Sequence, residues 1–209
     1  MPGDINDIKD NEDYKLREIL DFEHVIPFII RNIKRKGILS LFYFTLNIVS
    51  LLLLVIISVT FVIHDNVGIG QLIQYIFFGI FAGSILIVPV HEMFHFLAYF
   101  FMGARSVKFG ADPRQLIFYV VADKFPIGRI RLAILAMAPF VIINLLTAIF
   151  ILPLIPAGTI IGGFLLVTHN IMCIGDFAVL NFALQKENKG LVTFDDVKKK
   201  ESYFYVKTV

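Results

Sequence analysis

The chain has 209 residues, of which 57% are hydrophobic and 17% charged, with 22 phenylalanines and a net charge of +2. A water-soluble domain carries about 25% charge, so this composition excludes an ordinary soluble enzyme and predicts an integral membrane protein. The small net charge offers no basic surface for nucleic acid, and a single cysteine excludes an intrachain disulfide and a cysteine-rich zinc site.

Residues 1–13 are polar and acidic. Residues 14–36, YKLREILDFEHVIPFIIRNIKRK, mix apolar and basic positions. They predict one or two short helices on the inner leaflet, with Lys34, Arg35 and Lys36 near lipid headgroups. Together, residues 1–36 form an N-terminal and interfacial segment ahead of a membrane domain over 37–184, and residues 185–209 form a polar tail. The tail reads as a strand or a short helix, with no assigned role.

A membrane span needs about 20 apolar helical residues. Four runs qualify, at 38–63, 70–102, 132–153 and 157–184. The polar stretch ahead of the first run predicts an uncleaved anchor. Seven of the 19 Lys and Arg precede the first span, six lie from Arg105 to Arg131, and six follow the fourth span. The positive-inside rule then places both termini and the 103–131 loop in the cytoplasm. Gly79 and Gly83 form a small-xxx-small pair that admits a close helix neighbour.

The 103–131 loop holds Val107 to Phe109, then the turn signal Gly-Ala-Asp-Pro, then LIFYVVAD. Aromatic and β-branched residues flanking a turn predict a β-hairpin at the membrane surface. Its second strand, from Leu116 to Val121, would offer an edge to an extended substrate through Leu116, Phe118 and Val120. The expected fold is therefore an all-α membrane protein: four transmembrane helices, with a cytoplasmic-side hairpin between the second and third.

Five ionisable side chains fall inside the spans: His91, Glu92, His95, His169 and Asp176. Such groups are costly in a bilayer and mark functional sites. His91-Glu92-Met93-Phe94-His95 is HExxH. On a helix its histidines lie one turn apart on one face, able to hold one metal ion, and the glutamate is placed to act as general base. One Zn2+ per chain would offset the buried carboxylates.

A third ligand must come from the fourth span, because the first and third hold no Asp, Glu or His. Asp176 is the acid there. His91 and His95 lie 11 and 7 residues before Met102, and Asp176 lies 9 before Gln185. At about 1.5 Å per residue all three sit roughly 10–16 Å from the inner ends of their helices. His169 lies seven residues before Asp176, roughly 10 Å further out on a straight helix. It is cast as a group touching a ligand, or as a donor to the oxyanion, and Asn170 is a second such candidate. Cys173 suits a structural site better than a hydrolytic one. Pro89 is positioned to kink the helix near the metal.

This layout resembles the site-2 protease group of intramembrane metalloproteases. HExxH in one helix is followed by a membrane-associated hairpin, a small-residue/Pro helix (Ala136-Met137-Ala138-Pro139) and a helix that brings an Asp. It is most similar to a family of small bacterial membrane zincin peptidases, over about residues 70–184. The resemblance implies His91, His95 and Asp176 as zinc ligands and Glu92 as base. It also implies a substrate that is a membrane protein or membrane-proximal peptide, and a place in the bacterial cytoplasmic membrane. The Asp context differs: Cys-Ile-Gly-Asp-Phe stands where site-2 proteases carry Leu-Asp-Gly. The leading expectation is a zinc-dependent intramembrane endopeptidase. The alternatives are a zincin-like protein that binds a client without cutting it, and a metal carrier.

Overall fold

A computed structural model describes residues 5–35, 37–64, 67–112 and 117–208. Residues 1–4, 36, 65–66, 113–116 and 209 lie outside them. The chain divides into two compact units, each assembled from separate segments.

The first unit, residues 36–91 and 139–174, is helical. It contains α3 (Ile38–His64), α4 (Ile69–Phe81), a π turn (Ala82–Leu86), the start of α5 (Ile87–Phe101), most of the second half of α6 (Arg129–Phe150) and α7 (Ala157–Met172). Among the described residues, three continuous helices, 38–64, 69–101 and 129–150, are long and apolar enough to cross a membrane. Ile48, Leu52 and Ile56 of α3 are exposed, as expected of a helix that is apolar all round and uses lipid as its solvent. The expected fourth span is interrupted. Cys173 has ψ 7°, far from the helical value near −42°, and it separates α7 from α8 (Ile174–Ala183). The pair counts as a span only if joined, so distances reckoned along one straight helix from His169 to Asp176 do not apply.

Gly79 and Gly83 explain how α4 and α7 approach. A Cβ on Gly79 would lie 2.6 Å from the Ile161 carbonyl oxygen, and one on Gly83 would lie 2.6 Å from that of Leu165. Backbone cannot yield as a side-chain tip can. Gly83→Leu should therefore force α7 away and cost about 1–3 kcal/mol or more of overpacking strain. Thermal unfolding in detergent, compared with Gly70→Leu, checks this; Gly70 has nothing within 4 Å of its Cβ position.

The second unit, residues 1–35, 92–138 and 175–209, carries the two expected hairpin strands and a further sheet that the expected fold did not include. After the short α1 (Asn6–Lys9) come β1 (Tyr14–Asp21) and α2 (Val25–Ile33), then β2 (Val107–Asp112), β3 (Ile117–Ala122), β4 (Ile127–Gly128), β5 (Leu191–Asp196) and β6 (Glu201–Lys207). An antiparallel four-stranded sheet runs β1-β6-β5-β4, and β2 pairs with β3. Residues 14–21 are thus a strand and not the expected helix. A bulge between Leu16 and Glu18 explains why. It shifts the alternation from Tyr14-Leu16 to Ile19, which hides the period of two that marks a strand. The tail pairs in register from Leu191↔Val206 to Asp196↔Glu201. Its core joins Phe28 of α2, Phe182 of α8 and Phe204 of β6, with ring centroids 5.1–6.1 Å apart.

Asp195 is buried in this unit, accepting hydrogen bonds from Ser202 Oγ at 2.5 Å and Tyr99 Oη at 3.4 Å. Burial pushes its carboxyl up from 3.8 to about 6. A folded value above the unfolded one favours the protonated fold. This contribution is complete below about pH 4 and lost as pH rises through about 6, a difference of about 3 kcal/mol. Asp195→Asn should flatten the pH dependence of unfolding between pH 4 and 6.5. An unchanged slope would place the titration elsewhere.

Candidate metal centre

The HExxH segment sits on α5, immediately after the π turn. Ile87 N–H donates to Ala82 O, an i→i+5 bond. Pro89 follows; it has no N–H to give the Ile85 carbonyl, and its ring crowds that carbonyl. A wider turn relieves both problems, and π turns often stand at functional sites. His91, Glu92 and His95 each offer a ligand atom, all within 4.8 Å of one another. The i, i+4 spacing of the two imidazoles produces this grouping directly.

His95 is held at both ring nitrogens. Its Nδ1 lies 3.0 Å from the Leu135 carbonyl oxygen. A carbonyl only accepts, so Nδ1 carries a proton, and in the neutral ring Nε2 keeps the lone pair that a metal needs. In an intact helix Leu135 O would accept from the N–H of residue 139. That residue is Pro139, inside α6, and it has none. The proline thus releases a backbone acceptor in mid-helix, and His95 takes it. Through this bond the Ala136–Pro139 motif sets the tautomer of a candidate ligand.

Nε2 of His95 lies 3.3 Å from Oδ1 of Asp176. Their side chains are 12% and 17% exposed. Asp176 stands in the first turn of α8. Either a proton on Nε2, giving an imidazolium–carboxylate pair, or a metal ion between the two atoms makes this contact favourable. Tetrahedral zinc with bonds of about 2.0–2.1 Å holds its nitrogen and oxygen ligands roughly 3.3 Å apart. The donor chemistry and this spacing fit a zinc ion.

His91 is engaged by α7. Its Nδ1 lies 3.0 Å from Nε2 of His169, with ring centroids 5.3 Å apart. His169 is 1% exposed. Asn170, expected either to support a ligand or to donate to the oxyanion, is in a reciprocal amide pair. Asn144 Nδ2 donates to Asn170 Oδ1 at 2.7 Å, and Asn170 Nδ2 donates to Asn144 Oδ1 at 3.2 Å. Asn144 had given no sequence signal, since amides in apolar helices pair in many ways.

The hairpin lies beside α5 in the sheet-containing unit, where Phe109 of β2 stacks on Phe96 at 5.6 Å. Phe96 directly follows His95. Of the expected substrate-strand residues, Phe118 is 54% exposed and Val120 8%, while Leu116 lies outside the described residues. β2 and β3 form a two-stranded sheet.

No curated protein and no solved structure shows significant similarity to the chain. A family model does match, over residues 84–191, just over half of the length. That interval holds HExxH, the hairpin, Pro139, His169 and Asp176, and a zincin is a peptidase that uses zinc. By this match the chain belongs to the family described as "Putative zincin peptidase".

Proposed function

We propose that the protein is a zinc-dependent intramembrane endopeptidase of site-2 protease type. His91, His95 and Asp176 would hold the ion, and Glu92 would serve as general base. The observation that carries this reading is the doubly held His95 ring, with Nδ1 on Leu135 O and Nε2 facing Asp176. The zinc would supply Lewis-acid polarisation of the scissile carbonyl and acidify the attacking water. Glu92 takes a proton from that water as oxygen attacks the carbonyl carbon. It returns the proton to the nitrogen as the C–N bond breaks. His169, against His91, orients that ring.

A transmembrane helix hides its peptide bonds, so cleavage needs an extended segment. The β2–β3 pair supports substrate capture by strand addition, with Phe118 as the exposed contact on β3. Phe118→Pro should reduce cleavage of a membrane client while zinc content stays near that of the wild type. Equal cleavage by the two proteins would make the hairpin a seal only. With both termini in the cytoplasm, the hairpin would meet substrates from that side.

The test of the whole reading joins metal analysis to client capture. Purified protein should carry about one zinc per chain. The Glu92→Gln variant should trap membrane clients that the wild type cleaves. Protein that retains zinc yet never cuts a trapped client would be a binder and not a peptidase.

A further inference from the structure

The helical unit holds a second cluster that peptide hydrolysis does not use. Cys173, at the end of α7, is 0% exposed, and its Sγ lies 3.6 Å from Nε2 of His169. The same Nε2 lies 3.0 Å from Nδ1 of His91. Ligand atoms of His91, His169 and Cys173 all fall within 4.8 Å of one another. Around one tetrahedral ion, with metal–nitrogen bonds of about 2.0–2.1 Å and a metal–sulfur bond of about 2.3 Å, nitrogen and sulfur ligands stand roughly 3.6 Å apart. The observed sulfur–nitrogen separation matches this. His169 and Cys173 are i and i+4 on one helix, the same spacing that pairs His91 with His95. A thiolate with two imidazoles is a soft donor set, which favours Cd2+ or Cu+ and also accepts Zn2+.

We propose that His91, His169 and Cys173 form a second metal site, selective for soft ions, whose filling withdraws His91 from HExxH. The withdrawal follows from proton bookkeeping on one ring. A neutral imidazole has one N–H and one lone pair. His91 faces the second site with Nδ1. Binding a metal there leaves the proton on Nε2, the one nitrogen of His91 left to serve HExxH. With Nδ1–H donating to His169 Nε2, the lone pair returns to Nε2 and the hydrolytic set is complete. Two tautomers of His91 thus correspond to two metal states, and a soft ion acts as an antagonist. Binding at the second site converts the Cys173 thiol to thiolate and releases its proton to solvent. The second site stands without the peptidase reading; only the antagonism rests on it.

Cys173 is the only cysteine in the chain, so any thiolate-to-metal charge-transfer band reports this site alone. Cd2+ is titrated into the zinc-loaded full chain in detergent, following near-ultraviolet absorbance and released zinc. The wild type should show a band that saturates at one Cd2+ per chain, with zinc affinity falling by about tenfold or more. Cys173→Ser, a near-isosteric change, should lose the band and resist the zinc loss. The double variant His95→Ala/Asp176→Ala should keep the band, because neither residue belongs to the second set. Cadmium uptake by the wild type without a thiolate band would overturn the proposal, leaving a sulfur–nitrogen hydrogen bond only. A band that vanished in the double variant would overturn it too, placing the cadmium in the hydrolytic set. A persistent band with unchanged zinc affinity would refute the antagonism.

Discussion

Glu92→Gln should leave about one zinc per chain in place and cut peptide hydrolysis by about 10²–10⁴-fold, the usual worth of a positioned general acid–base. Gln keeps the length and shape of the side chain and removes its ability to take a proton. His91 and His95, on the same helix, keep their partners His169 and Leu135, so metal retention is the expected control. The measurement is single-turnover cleavage of a membrane client with metal content determined on the same samples. Near-normal cleavage would mean that the base lies elsewhere.

Asp176→Ala and His169→Ala should part company, and the contrast tests the ligand set. Asp176 Oδ1 faces Nε2 of His95 at 3.3 Å. Removing it should empty the site and abolish activity together. His169 touches His91 at Nδ1, which leaves Nε2 to face an ion. Its loss should free the ring to turn and cost about 10–100-fold in metal affinity or rate, as for groups that orient a ligand. His169→Ala should therefore keep the zinc of the HExxH set at saturating metal and lose rate, whereas Asp176→Ala should lose the zinc of that set. The reverse pattern would make His169 the third ligand and would weaken the likeness to site-2 proteases.

HExxH needed no fold to be legible. The α-helix has a fixed period, so residues 91 and 95 share a face wherever the helix lies. The three long spans were equally legible, because a bilayer sets both length and composition, and α3, the 69–101 helix and α6 begin and end close to the expected limits. Gly79 and Gly83 announced a close contact, although only the structure shows that α7 fills it. The two hairpin strands followed from β-branched and aromatic residues flanking a turn.

The four-stranded sheet was hidden because strand pairing is non-local. β1 lies beside β6 at the opposite end of the chain, and a bulge scrambles its alternation. Asp195 was equally invisible, since its titration depends on burial supplied by the folded sheet. The break at Cys173 escaped notice because no proline marks it, and a hydropathy run cannot register one non-helical ψ. The straight-helix reckoning took no account of that break, and the structure sets His169 against His91. The partner of His95 was the hardest to foresee. Pro139 could be read as a helix breaker, but the carbonyl it releases gains meaning only when a histidine from another helix arrives 3.0 Å away. Sequence alone therefore determined which ionisable groups stand in apolar helices, and that those helices are long and apolar enough to cross a membrane. Tertiary structure decided which ring nitrogen bears the proton, because that depends on an acceptor about 40 residues away in the chain.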